Sequence, residues 1–233
     1  EAWEDLDDIT RRVATRLQAA YAAMLNHADE HLARLIDHLE FSGQLDNTVI
    51  MVLSDNGASQ EGGPLGFVNA MGPYNGLPEP IDAKFDRIDD IGGPDTHSNF
   101  PWGWSMAANT PLRRYKQNTH GGGVRDPLVV HWPRKVTQPG LRDQFCHASD
   151  IVPTLLDLIG VEAPDTINGV QQKPIEGVSF ASTLTDRHAQ TGKTTQYFEM
   201  FGHRGVVHSG WKAVAFHPPG TPYGDDHWEL FNL

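Results

Sequence analysis

The sequence predicts an α/β protein in which helices flank a mainly parallel sheet, followed by a small antiparallel sheet. A long amphipathic helix precedes the apolar run Val49–Leu53, and a second apolar run, Leu128–Trp132, precedes another helix. Strand, crossover, strand and helix in this order are typical of an α/β layer. From about Thr194 the pattern changes to short strands around turns. We therefore expect an α/β domain over residues 1–190 and an incomplete antiparallel subdomain over residues 191–233.

The first helix is predicted by apolar side chains that recur every three or four positions. This spacing predicts a helix over about residues 10–40 that ends near Gly43. The helix would bury one apolar stripe, formed by Leu17, Tyr21, Met24, Leu25, Leu32, Leu35, Ile36 and Leu39.

The remaining elements follow a long irregular segment. Residues 58–111 are rich in Gly, Pro, Asn and Trp and show no sustained period. Loops of this length are uncommon and usually functional or disordered. We expect Leu128–Trp132 to be a buried strand closed by Pro133. Asp150 should then cap a helix that ends just before Gly160.

The charge balance excludes several classes of partner. The 233 residues include 18 Lys and Arg against 30 Asp and Glu, which gives a formal net charge of -12. Nucleic acids and anionic membrane surfaces require a basic field, so we expect neither as a partner. No apolar run approaches the roughly 18 residues of a membrane span. The single cysteine, Cys146, excludes an internal disulfide and leaves the compartment, cytoplasmic or periplasmic, undecided.

Asp55 and Asn56 follow directly after the first apolar strand, in the sequence SDNG. Such a sequence most often forms a simple turn, because Asp and Asn bond their own backbone and Gly accepts a positive φ. The alternative is a ligand site, since open α/β sheets bind ligands at the carboxyl ends of their strands. Two oxygen donors there suit Ca²⁺ or Mg²⁺ better than zinc. The only other nearby carboxylate is Glu61, so most ligands of such a site would come from elsewhere.

A second group of polar residues precedes the second strand. Lys116, Thr119 and His120 are followed by three glycines, which allow a close approach of the backbone to a ligand. The group predicts either an anion pocket or a glycine-rich surface turn with a solvated lysine. It is not a P-loop, because no Lys-Ser or Lys-Thr follows the glycines. Trp102 and Trp104 either line an aryl pocket or hold the long segment to the core, and we expect Trp104, Thr119 and His120 to line the substrate pocket.

Several motifs together resemble the sulfatase family, and bacterial arylsulfatases within it. In family order they are HADEHLARLIDHLEFSGQLDNT, VIMVLSDNGA, GWSMAANTPLRRYKQNTHGGGVRDPLVVHWP, HASDIVPTLLDLIGV, GWKAV and WELFNL. The resemblance implies an alkaline-phosphatase-like mixed sheet and the hydrolysis of a small-molecule sulfate ester. It also implies that Asp55 and Asn56 bind an active-site calcium ion and that Lys116 binds the sulfate group.

The sequence departs from the family pattern at the nucleophile. Family members use a formylglycine made within C-x-P-x-R, whereas Cys146 lies in FCHAS and no such motif is present. The paired aspartates that complete the calcium site are also missing. We therefore expect a fragment that is inactive alone and whose partner is the remainder of the sulfatase polypeptide. The alternatives are a phosphate or phosphonate ester hydrolase of the same superfamily and a degenerate, non-catalytic module.

Overall fold

The computed structural model describes residues 2–233. In this part of the chain the α-helices are α1 (Asp8–Phe41), α2 (Met71–Tyr74), α3 (Ile81–Asp86), α4 (Trp102–Ala108), α5 (Gly121–Val124), α6 (Ile151–Ile159) and α7 (Ser182–Thr185). The strands are β1 (Ile50–Leu53), β2 (Leu128–His131), β3 (Thr166–Ile167), β4 (Val170–Gln171), β5 (Thr195–Met200), β6 (His203–His208), β7 (Trp211–Ala215) and β8 (Trp228–Asn232). β1 pairs with β2, β3 pairs with β4, and the last four strands form a sheet in the order β5-β6-β7-β8. This mixture of helices and sheets confirms the predicted α/β class.

The chain divides into two compact units. One contains the residues up to Gly43 together with Val52–Leu128, and the other contains Gln44–Met51 together with Val129–Leu233. The domain boundary expected at residue 190 stays a prediction. Among residues 2–233, no helix combines the length and the apolar composition that crossing a bilayer requires.

Helix α1 is buried mainly near its beginning. The Asp7 side chain caps it by accepting a hydrogen bond from the Thr10 backbone N–H at 2.8 Å, which satisfies a donor that the helix itself leaves open. Leu17 is buried, but Met24, further along the predicted apolar stripe, is 56% exposed. Leu25 and Leu35 are also exposed. The prediction of one buried stripe is therefore correct only for the first half of the helix.

The long segment over residues 58–111 is a folded layer against α1. It contains α2, α3 and α4. Two isolated β-bridges, between Phe67 and Asn99 and between Asn69 and His97, connect its earlier and later parts. Burial of one large aliphatic or aromatic side chain stabilises a fold by about 1.5–3 kcal/mol. The segment is ordered because it shares a core cluster with α1, formed by Val13, Leu17, Val68, Ile91 and Phe100.

The first two strands are less buried than the sequence predicts. Val52 and Leu53 in β1 are exposed, and Val129 in β2 is 59% exposed. Within the described residues these strands form a two-stranded sheet. A strand with one neighbour and uncovered faces cannot bury alternate side chains, which explains why the prediction of buried strands is wrong in this chain.

Asp150 does not cap α6 with its side chain, contrary to the prediction. Its carboxylate accepts hydrogen bonds from the backbone N–H groups of His147 at 2.8 Å and Val178 at 2.9 Å. The Lys193 ammonium lies 3.1 Å from the same carboxylate. The sequence position suggested a cap of α6, but the side chain bonds instead to His147 just before it and to Val178 and Lys193 further along the chain. The end of α6 is as predicted, with Gly160 in the left-handed conformation at φ 68°.

The C-terminal sheet confirms the predicted antiparallel arrangement. Two-residue turns join β5 to β6 at Phe201–Gly202 and β6 to β7 at Ser209–Gly210. All four turn residues have positive φ, from 47° at Ser209 to 85° at Gly202. Turns with this conformation match the twist of antiparallel hairpins, so the sequence pairs Phe-Gly and Ser-Gly fix the register of the sheet.

The turn after β1 is packed directly against the triple-glycine segment. The Gly57 N–H donates to the Gly123 carbonyl at 3.3 Å. A Cβ added at Gly57 would lie only 1.6 Å from the Gly122 carbonyl oxygen. A Cβ at Gly122 would itself lie 2.0 Å from the Arg114 carbonyl oxygen. Only glycine allows this approach of the two backbones.

We expect Gly57→Ala to lower the free energy of unfolding by about 1–3 kcal/mol, because the new methyl group must displace backbone atoms. Urea denaturation followed by circular dichroism measures this change. Gly103→Ala is the matched control, since a Cβ at that position meets nothing within 4 Å. Equal denaturation midpoints for the two variants would contradict the close packing.

Candidate functional site

The turn after β1 presents a carboxylate beside a carboxamide. Asp55 is exposed and Asn56 is half-buried. The Asn56 side-chain amide donates to Asp55 Oδ1 at 3.0 Å, and Ser54 Oγ donates to the Asn56 carbonyl at 2.7 Å. These bonds form a local turn of the kind that the sequence predicts. The Asp55 carboxylate and the Asn56 side-chain oxygen are the two side-chain oxygen donors of this turn that could serve a ligand.

A backbone hydrogen bond joins Lys116 to this turn. The Lys116 N–H donates to the Ala58 carbonyl at 3.1 Å. The Asn109 side chain bridges the same two segments, because it accepts from the Ala58 N–H at 3.2 Å and donates to the Arg114 carbonyl at 3.0 Å. Arg114 and Gln117 flank Lys116 with positive φ of 64° and 71°. Non-glycine residues in this region are strained and occur often at functional sites.

Lys116 forms an ion pair with Glu61. Lys116 Nζ lies 2.7 Å from Glu61 Oε2, and each side chain is 30% exposed. Ser59 Oγ donates to the same oxygen at 3.0 Å, and Gln117 Nε2 donates to Glu61 Oε1 at 3.4 Å. The hydrogen bond from Lys116 lowers the pKa of Glu61 more than partial burial raises it. Glu61 is therefore a carboxylate at neutral pH, and the pair has no net charge.

Thr119 and His120 lie beneath the surface. They are 1% and 2% exposed, and His120 directly precedes α5, which the three glycines begin. Their role as pocket residues stays a prediction.

The two tryptophans hold the long segment in place. Trp104 Nε1 donates to the Ala14 carbonyl at 3.0 Å, and its ring packs on the core cluster. Trp102 Nε1 donates to the Gln60 carbonyl at 2.6 Å. The contacts of Trp104 match the alternative in which a tryptophan fastens the segment to the core, whereas the Trp102 bond lies within the segment itself. The expectation that Trp104 lines an aryl pocket stays a prediction.

The structure thus joins the two sequence-predicted groups. The bonds from Gly57 to Gly123 and from Lys116 to Ala58 tie the Asp55–Asn56 turn to the Lys116 segment. From the sequence, Glu61 is only a further carboxylate near the Asp55–Asn56 turn. Its partner Lys116 lies 55 positions along the chain, and no local pattern signals a pairing over that separation.

The residues of the turn fit a hard cation in type but are too few to hold one tightly. Carboxylate and amide oxygens are the donors that Ca²⁺ prefers, and Ca²⁺ takes roughly six to eight of them. Within residues 2–233 there is no group of three or more His, Cys, Asp or Glu side chains arranged to hold a metal ion. Asp55 and Asn56 can therefore supply only part of a calcium site.

Two family profiles cover the chain. The profile described as Sulfatase matches residues 3–161, and the profile described as N-sulphoglucosamine sulphohydrolase, C-terminal, matches residues 115–233. An uncharacterized sulfatase of Schizosaccharomyces pombe is 27% identical over 241 residues, covering 100% of this chain and 41% of the relative. An arylsulfatase of Klebsiella aerogenes is 26% identical, covering 77% of this chain and 37% of the relative. The chain thus spans about two fifths of the length of these relatives.

Solved structures show the same fold. Ps i-CgsB aligns with a TM-score of 0.56 at 21% identity, covering 91% of this chain and 36% of that protein. The PsFucS1 sulfatase from Pseudoalteromonas sp. aligns with a TM-score of 0.54 at 20% identity, covering 88% of this chain and 34% of that protein. These likenesses confirm the alkaline-phosphatase-like fold that the motifs implied. With a family profile matched over more than half of its residues, the chain belongs to the Sulfatase family.

Proposed function

We propose that residues 1–233 supply part of the active site of a sulfuric ester hydrolase of the arylsulfatase type. The observation that carries this proposal is the position of Lys116, a partly exposed cation whose backbone is bonded to the turn that presents Asp55 and Asn56. Family membership and the likeness to an arylsulfatase support it. The substrate would be a small-molecule sulfate ester.

Each site residue has a role that follows from its chemistry. Asp55 and Asn56 would hold a calcium ion, which when bound supplies positive charge to the sulfate oxygens. Lys116 would donate hydrogen bonds to a sulfate oxygen and stabilise the negative charge that grows as the ester bond breaks. Because its segment is fixed before the substrate arrives, the ammonium needs little reorganisation to do so.

The remaining parts of the site would come from outside these residues. The formylglycine nucleophile, the other calcium ligands and further cations belong, on this proposal, to the remainder of the sulfatase polypeptide. Cys146 is a poor substitute as a nucleophile, because desolvation and the nearby Asp150 carboxylate raise the pKa of its thiol.

We expect the 233-residue chain to bind Ca²⁺ weakly, because Asp55 and Asn56 provide only part of a shell of roughly six to eight oxygens. Isothermal titration calorimetry of the chain and of Asp55→Ala measures the affinity. Tight, stoichiometric binding that persists in the variant would show that the calcium site lies elsewhere.

In the full-length protein, Lys116→Ala should lower kcat/KM for a chromogenic aryl sulfate by at least about 10²-fold, comparable to the loss of one preorganised oxyanion donor. Lys173→Ala removes an exposed lysine of the other unit and serves as the control. Unchanged turnover in a folded Lys116→Ala protein would remove this residue from the site.

The 233-residue chain alone should hydrolyse no aryl sulfate, because binding without a nucleophile gives little acceleration. The assay incubates the purified chain with calcium and a chromogenic aryl sulfate beside a Cys146→Ala control. Turnover above background that disappears in the control would identify Cys146 as the nucleophile instead.

A further inference from the structure

The ion pair between Glu61 and Lys116 places a negative charge where an anionic substrate would bind. Glu61 Oε2 lies 2.7 Å from Lys116 Nζ, so any ligand atom within hydrogen-bond distance of the ammonium is also close to the carboxylate. Both side chains are 30% exposed, which leaves the pair accessible to a ligand. The proposed function uses the lysine and gives the carboxylate no role.

The pair can accept a ligand without separating. A lysine ammonium has three N–H donors, and the contact with Glu61 occupies one of them. Ser59 donates to the same oxygen of Glu61 at 3.0 Å and Gln117 donates to the other oxygen at 3.4 Å, so the carboxylate has two partners besides Lys116. The remaining ammonium donors can therefore meet a substrate oxygen while the carboxylate stays in place.

The charge of the ligand then decides how well it binds. A sulfate monoester carries one negative charge, whereas a phosphate monoester carries about 1.5 to 2 negative charges at neutral pH. The attraction of Lys116 for either ligand is largely cancelled by the repulsion from Glu61. Each additional negative charge on the ligand is attracted by Lys116 and repelled by Glu61, so the pair gives a dianion little advantage over a monoanion, whereas an unpaired lysine would favour the dianion.

We propose that Glu61 sets the charge selectivity of the site: it cancels the preference for dianionic phosphate monoesters that Lys116 alone would give, so that monoanionic sulfate monoesters bind without that disadvantage. This inference rests on the proposed function of Lys116 and names the substrate class more narrowly. It makes Glu61 a specificity residue, because it acts on the substrate through charge and takes no part in bond breaking.

The test compares two non-hydrolysable ligands of similar shape in the full-length protein. Benzenesulfonate carries one negative charge at every working pH, whereas phenylphosphonate is a dianion at about pH 8.5 and a monoanion at about pH 5, as expected for a phosphoryl group with a second pKa near neutrality. Calorimetry gives the dissociation constants of both ligands for the unchanged protein, Glu61→Gln and Glu30→Gln. The last variant makes the same change in net charge at an exposed position of α1.

At about pH 8.5 Glu61→Gln should bind phenylphosphonate, relative to benzenesulfonate, at least about tenfold better than the unchanged protein and Glu30→Gln do. At about pH 5 the ratio of the two dissociation constants should agree between the proteins to within about threefold, because both ligands are then monoanions. Glu61 remains charged there, since the Lys116 hydrogen bond lowers its pKa. Lys116 is the charged group that faces Glu61, and Ser59 and Gln117 are its neutral partners.

An unchanged preference in folded Glu61→Gln at about pH 8.5 would overturn the inference. If Lys116→Ala still lost aryl sulfate turnover in that case, the proposed function would stand, whereas unaffected turnover would reject the proposed function separately. Glu61→Ala provides a second neutral variant, judged by circular dichroism and the same titrations. Loss of the fold in both neutral variants would assign Glu61 a structural role and also overturn the inference.

Discussion

The close approach of two backbones at Gly57 is the constraint on which the candidate site depends. The turn after β1 lies so near the triple-glycine segment that a single methyl group at Gly57 would overlap the Gly122 carbonyl oxygen. This contact sets the distance between the Asp55 side chain and the segment that carries Lys116. The backbone bonds from Gly57 and Lys116 then fix the two segments relative to each other. Side chains could not hold them as rigidly, because each would add rotatable bonds.

The charge of the site follows from this arrangement. Once the Lys116 segment is fixed beside the turn, its ammonium meets the Glu61 carboxylate, which Ser59 and Gln117 already hold. A partly exposed ion pair contributes little to stability, so on our proposal its main effect would be on ligands. It reduces the long-range attraction for anions and leaves short-range hydrogen bonding to the lysine intact. In a chain with a net charge of -12, anion binding must depend on such local contacts.

The surroundings of the site show which parts of the fold are complete within these residues. The long segment over residues 58–111 buries Val68, Ile91 and Phe100 against the first half of α1, and the two share one core cluster. By contrast, several apolar side chains further along α1 and in β1 and β2 stay exposed, namely Met24, Leu25, Leu35, Val52, Leu53 and Val129. The chain spans about two fifths of the length of its relatives. The candidate site lies within the unit that contains this core, which gives it a rigid support.

The sequence by itself determined the elements with strong local signals and the family of the chain. Periodicity located α1, alternating strands around positive-φ turns gave the C-terminal sheet, and the motifs around Asp55 and Lys116 indicated the family. Only the tertiary structure decided the contacts between distant positions. It turned the Asp150 side chain from the expected cap to Val178 and Lys193, and it paired Glu61 with Lys116. The physical reason is that periodicity and turn chemistry act over a few residues, whereas an ion pair between distant positions depends on how the intervening segment folds.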